Sequence, residues 1–179
     1  MAVSQQNFPD PHPAEGQGGE SAAFTEKDAA FMRLALAQAE RAREAGEVPV
    51  GAVIVDVAGQ VIGQGYNRTI TDNDPTAHAE IVALRQAAAA AGNYRLPGAR
   101  LYVTLEPCVM CLGAMMHARL EHVIFGAQDP KTGACGGVVS LHHEQRLNHH
   151  TQVAGGLLAQ PCGDILRQFF RARRQQSQG

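Results

Sequence analysis

His78-Ala79-Glu80 precedes, by some thirty residues, a pair of cysteines one helical turn apart in Pro107-Cys108-Val109-Met110-Cys111. One imidazole and two thiolates make a good donor set for zinc, which accepts N and S ligands in a tetrahedron. Structural zinc sites close the shell with four protein ligands, whereas catalytic sites keep three and leave a position for water. His78, Cys108 and Cys111 supply three, and Glu80 is left over as a carboxylate that need not bind the metal. Zinc lowers the pKa of a bound water toward ~7, and a carboxylate with a raised pKa can take a proton and return it. Hydroxide addition to a carbon bearing an amino group, followed by loss of ammonia, is hydrolytic deamination. The competing reading is a closed structural zinc that recruits Cys135, Cys162 or another histidine. Those two cysteines stand at unrelated spacing and read as a loop thiol and a buried apolar side chain.

The elements around these residues must bring them together. Pro107 opens a helix expected over 109–118, where Pro near the start costs little. The helix N-terminus favours thiolates through its free N–H groups. His78 and Glu80 are expected on the first turn of an alanine-rich helix over 77–91. Two residues are roughly 200° apart on an ideal helix, so a shared site requires a bend or loose geometry there. Earlier in the chain, Thr25 reads as an N-cap with Asp28 three residues on. Phe31, Leu34, Ala35, Gln38, Ala39 and Ala42 follow helical spacing up to Gly46. A β-branched run over 48–57, a turn at Ala58-Gly59 and a return over 61–66 predict a hairpin. Short strands are expected over 101–105 and 122–126. Residues 128–150 read as mostly loop, 153–158 have no clear phase, and 164–174 read as a helix. The pattern predicts a mixed sheet with helices on both faces.

Size and charge narrow the classes. With 179 residues, 45% of them apolar, the chain has enough for one full core. No apolar run approaches the ~20 residues of a membrane helix, and no basic start followed by an apolar stretch suggests a signal peptide. Four cysteines, two of them in a metal motif, suggest a reducing, cytoplasmic compartment. Residues 1–23 carry Asp10, Glu15 and Glu20 and no Lys or Arg, and they read as a disordered leader. Without them the formal charge moves from −2 to +1. Arg167, Arg171, Arg173 and Arg174 on the last helix form a local basic patch, which can bind phosphates on a near-neutral protein or simply be solvated. His142, His143, His149 and His150 match no common metal spacing and read as loop histidines. Met115 and Met116 read as core or interface, as does Met110.

These segments, together with Glu47-Val48-Pro49-Val50-Gly51-Ala52, Asp74-Pro75-Thr76-Ala77 leading into the histidine motif, Asn93-Tyr94-Arg95-Leu96, Leu101 to Cys111, Lys131-Thr132-Gly133 and Phe169 to Arg174, resemble the bacterial tRNA-specific adenosine deaminases of the cytidine deaminase-like superfamily. The resemblance runs from about Phe24 to Arg174 and is weak over 135–148. It implies one deaminase domain over 24–174, followed by a flexible tail over 175–179. It implies a three-layer α/β/α fold with a five-stranded mixed sheet, one Zn²⁺ per subunit and a homodimer. It further implies conversion of adenosine to inosine at the wobble position of a tRNA anticodon stem-loop, chiefly arginine tRNA with an ACG anticodon. His78, Cys108 and Cys111 would hold the zinc and Glu80 would shuttle protons. Asn67 would bind the flipped nucleotide, and the backbone around Ala79 and Cys108 would orient base and hydroxide. Asp129 would hold a neighbouring ribose. Phe169 or Phe170, with Arg171, Arg173 and Arg174, would pack on the anticodon loop. The alternatives are a deaminase of a free base or nucleotide, and a non-enzymatic zinc-stabilised RNA-binding module.

Overall fold

Thr25 starts the first helix with a reciprocal cap. Its hydroxyl accepts the Asp28 N–H at 3.1 Å, and the Asp28 carboxylate accepts the Thr25 N–H at 2.8 Å. The computed structural model describes residues 24–176. The expected leader over 1–23 and the last three residues of the expected tail lie outside the described residues. Helix α1 (Glu26–Glu44) buries Ala29, Met32, Ala35, Ala39 and Ala42. Leu34, expected on that face, is 46% exposed. The stripe passes through Met32 instead, which places the small alanines against the sheet.

The remaining elements, in order, are β1 (Gly51–Val55), β2 (Val61–Tyr66), α2 (Ala79–Ala91), β3 (Arg100–Leu105), α3 (Val109–His117), β4 (His122–Ala127), β5 (Gln152–Gly155) and α4 (Ala159–Gln176). A single 3-10 turn, Leu141–His143, punctuates the long loop before β5. The strands form one sheet in the order β2-β1-β3-β4-β5. The first two pairings, β1 with β2 and β1 with β3, are antiparallel, and β3 with β4 and β4 with β5 are parallel. Ala52 lies opposite Val103, which lies opposite Phe125, which lies opposite Gly155.

Alternation along the strands feeds two separate cores. Ala52, Ile54, Leu101, Val103, Val123 and Phe125 face α2 and α3. Val53, Val55, Tyr102 and Ile124 face α1 and the start of α4. Every residue of β1 is buried, as a central strand with helices on both faces requires. The fold is therefore the expected three-layer arrangement. Three boundaries differ from expectation. The first strand begins at Gly51, because the Val50 N–H turns back to the Val48 carbonyl. The region without clear phase holds a four-residue edge strand, β5. The last helix starts at Ala159, with Pro161 tolerated in its first turn, and continues through Gln176. Residues 175–176 therefore belong to the helix and not to a tail.

One contact positions the site. Gly63 and Gly65 of β2 face α2, and a Cβ on Gly65 would lie 2.6 Å from the Ala79 carbonyl oxygen and 2.7 Å from the Ala83 nitrogen. A Cβ on Gly63 would collide with the Ala83 carbonyl. Helix α2 thus rests backbone on backbone, with its N-terminus fixed at the end of β2. Overpacking such a contact costs about 1–3 kcal/mol. Gly65→Ala should lower the denaturant midpoint accordingly and reduce bound zinc per chain, because His78 precedes that helix. An unchanged midpoint with full zinc would show that α2 has slack over β2.

Candidate metal centre and catalytic cavity

Two helix starts meet at one point. His78 is the N-cap of α2, with φ −71° and ψ 155°. Cys108 is the N-cap of α3, with φ −78° and ψ 172°. Both are extended residues outside their helices, which corrects the expectation that His78 sits on the first turn. The same fact removes the angular difficulty with Glu80: the 200° separation applies only between helical residues. Cys111 follows within α3 and is fully buried.

His78 Nδ1 lies 3.7 Å from Cys108 Sγ and 3.5 Å from Cys111 Sγ. The three ligand atoms all fall within 4.8 Å of one another. A tetrahedral zinc at normal bond lengths separates sulfur and nitrogen by about 3.6 Å. The donor set and its spacing therefore fit the ion as they stand. Among the described residues this is the one such cluster. The paired histidines of the long loop do not join one: His142 and His143 stack at 3.9 Å, and His150 Nε2 lies 2.9 Å from the Glu144 carbonyl. Cys162 is buried against Gly126, as expected of an apolar side chain.

The electrostatics suit a cation. The hydrogen bond with Cys111 draws the Cys108 thiol down to about 4, aided by His78. Cys111 is pushed up because it shares its proton with Cys108 and is desolvated. His78 is raised by its hydrogen bond to Cys108. A metal ion takes the place of these shared protons, so its binding releases them. Glu80 is 4% exposed, and burial lifts its carboxyl to about 7 against the opposing pull of its own backbone N–H and of His78. That is where a group that both accepts and donates protons near neutrality should sit.

A cavity of about 240 Å³ opens over this cluster, lined by Asn67, His78, Glu80, Glu106, Cys108, Asp129 and Thr132 with Val48, Val50 and Leu105. The cytidine and deoxycytidylate deaminase zinc-binding region matches residues 25–127. The tRNA-specific adenosine deaminase of Haemophilus influenzae is 49% identical over 152 residues, covering 85% of this chain and 88% of its own. That of Bacillus subtilis is 45% identical over 148 residues, covering 83% and 91%. The chain belongs to the tRNA-specific adenosine deaminases. A solved tRNA:A34 deaminase, studied for A-to-I editing at the wobble position, matches this deaminase with a TM-score of 0.74. The two are 48% identical over 76% of this chain and 99% of that one. A guanine deaminase from Nitrosomonas europaea matches at 0.66 with 26% identity, over 79% and 83%. The matched family region is a zinc-binding one, so the metal of the deaminase is zinc.

The other expected residues divide. Asn67 Oδ1 accepts the Ala79 N–H at 2.9 Å, and Asn67 lines the cavity. Ala79, around which the backbone is expected to orient base and hydroxide, donates its own N–H to Asn67, and its side chain is fully buried. Asp129 lines the cavity, while its carboxylate accepts the N–H groups of Lys131 and Thr132 and the Thr132 hydroxyl. A second, larger groove of about 670 Å³ adjoins the cavity and shares Val48, Leu105, Asp129 and Thr132 with it. Lys131, Arg167, Phe170, Arg171 and Arg174 line its outer part. Phe169 is buried, whereas Phe170 is 43% exposed. Arg173 lies over the Phe169 ring at 5.6 Å and does not line the groove.

Two buried acids escaped the sequence reading. Glu47 is fully buried and accepts the N–H groups of Ile70 and Thr71 and the hydroxyls of Thr69 and Thr71. It thereby fixes the loop after Asn67. Glu106 is 2% exposed and holds the opposite loop. Each stands beside an apolar run where a buried side chain is expected, and that is the only signal the sequence offered. Burial raises the Glu47 carboxyl, but the Thr71 and Ile70 hydrogen bonds outweigh it and hold the group below its ordinary value. Its stabilising effect is full above the unfolded carboxylate pKa and is lost as pH falls through the depressed value. Glu47→Gln should therefore cost about 1–3 kcal/mol at neutral pH, and the gap from the parent should close in acid. A gap independent of pH in chemical denaturation would show that the ionised carboxylate is not what holds the loop.

Proposed function

We propose that this protein hydrolyses adenosine to inosine at the wobble position of a tRNA anticodon, chiefly in arginine tRNA with an ACG anticodon. The observation that carries this reading is the continuity of the metal-centred cavity with a larger basic groove. A free base needs only the cavity. A nucleotide within a single-stranded loop needs a wall for its phosphates and neighbouring bases, which RNA loops present when their bases are splayed out. The similar guanine deaminase keeps the free-base reading as the second alternative.

When bound, zinc supplies a Lewis acid that acidifies water at the cavity floor. The protein's own residues do the rest. Asn67 Oδ1 is used by Ala79, so its side-chain N–H groups are the ones left to donate to the base. Glu80 takes a proton from the attacking water and passes it to the ring nitrogen beside C6. It then carries the remaining hydroxyl proton to the amino group. The C6–O bond forms, the C6–N bond breaks and ammonia leaves. The buried surroundings keep bulk water from short-circuiting these transfers. Phe170 offers a stacking face and Arg171 and Arg174 offer phosphate contacts, with Asp129 at the junction of cavity and groove.

The reading extends to a cytoplasmic homodimer. Its support is a largely apolar shelf across α2 and α3, formed by Ile81, Leu84, Ala88, Ala114 and Ala118 with Tyr94 and bordered by Arg85 and His117. Exposed Val109 and Met110 lie at the start of α3. Among the described residues no helix is long and apolar enough to cross a membrane.

Incubation with arginine tRNA carrying ACG should give inosine at its first anticodon position, and Glu80→Ala should retain zinc while losing turnover. Turnover of guanine or cytidine without inosine would favour the second reading, and a fully active Glu80→Ala would remove the proton shuttle. RNA affinity should fall linearly with salt on a log–log plot, by about 0.7 per phosphate engaged. Replacing Arg171 and Arg174 together should flatten that slope; an identical slope would mean that the helix end is merely solvated.

A further inference from the structure

We infer that Glu106 is a positioning residue for the substrate, acting through the 129–137 loop rather than on the reacting atoms. Its carboxylate is 2% exposed and sits two residues before the ligand Cys108. Three backbone groups of one loop converge on it. Oε2 accepts the Asp129 N–H at 2.9 Å. Oε1 accepts the Cys135 and Gly137 N–H groups, both at 2.8 Å. The loop is shaped to come this close. A Cβ on Gly137 would stand 2.5 Å from Oε2 and would strike the Asp129 carbonyl, and one on Gly133 would strike the Glu106 carboxyl carbon. The same loop pairs Gly133 with Cys108 and returns the Ala134 N–H to the Pro107 carbonyl at 2.8 Å.

The consequence lies in what the loop carries. Asp129 and Thr132 are walls shared by the cavity and the basic groove. One carboxylate therefore sets the junction through which a nucleotide in the cavity connects to the chain in the groove. The two oxygens divide the work: Oε2 fixes the Asp129 end, and Oε1 fixes the 135–137 end. Glu106→Gln separates them. Its remaining oxygen can keep Cys135 and Gly137, while its amide confronts the Asp129 N–H donor to donor and releases that end alone. Loss of a hydrogen bond to a charged group corresponds to roughly a tenfold change or more.

The inference rests on the tRNA reading, and its test has one readout that does not. In zinc-loaded protein, amide hydrogen exchange of Glu106→Gln should show lost protection at Asp129 and retained protection at Cys135 and Gly137. With the anticodon stem-loop, KM should rise about tenfold or more while kcat changes less than about threefold, at one zinc per chain. Gly137→Ala, which crowds the same clamp from the loop side, should give the same KM signature, and the double variant should be no worse than the more affected single one. Should Glu106→Gln not fold, Gly137→Ala alone carries the kinetic test. A fall in kcat with unchanged KM, loss of zinc, or unchanged protection at Asp129 would overturn the inference. If the parent protein makes no inosine, the substrate reading fails, and the exchange pattern still decides the role of Glu106.

Discussion

The structure depends on two helix N-termini directed at each other. An N-cap residue leaves the helix in an extended conformation, so its side chain projects ahead of the first turn and not around it. His78 does this from α2 and Cys108 from α3, while Cys111 closes the set from inside α3. Helix N-termini carry partial positive charge, which suits thiolates and the Glu80 carboxylate near them. A strongly charged centre is thus assembled at the surface of an apolar core with little unpaired polarity left behind.

Everything around the centre serves to hold those two N-termini still. The glycines of β2 let α2 lie directly on the sheet. Parallel β3 and β4 both end toward the cavity, and the chain leaving each one enters it: Glu106 to Cys108 after β3, and the Asp129 loop after β4. Loops cannot bury their backbone groups without partners. Here the partners are two acids, Glu47 on one side of the cavity and Glu106 on the other. Glu47 takes two backbone N–H groups and two hydroxyls, and Glu106 takes three N–H groups, all of which would otherwise need water.

The metal donor set was legible in the sequence because ligand type and spacing are strongly constrained: the imidazole and the two sulfurs gather as expected, and Glu80 lines the cavity beside them. Features set by tertiary contact were less legible. The stripe of α1 shifted from Leu34 to Met32 because alanine is ambiguous in a hydrophobicity pattern and only the neighbouring strand decides which face approaches. The strand β5 carries alanine and glycine, has little intrinsic preference, and exists because β4 offers an unpaired edge. Phe169 and Phe170 are identical in type, and burial separates them only through the orientation of α4. The hydrogen bond from the Ala79 N–H to Asn67 joins the end of β2 to the start of α2, and no local pattern announces it. Glu47 and Glu106 look like surface residues by type, and only the apolar run beside each hints that they are enclosed.

Helix α4 is fastened along one part of its length only. Cys162, Ile165 and Phe169 are buried, whereas every residue from Phe170 to Gln176 is exposed. Its last two turns are a cantilever, braced by Arg173 against Phe169. Segments with few buried contacts deform at low free-energy cost. The overhang can therefore bend without disturbing the buried part of the helix, which separates compliance at one end of α4 from rigidity at the other.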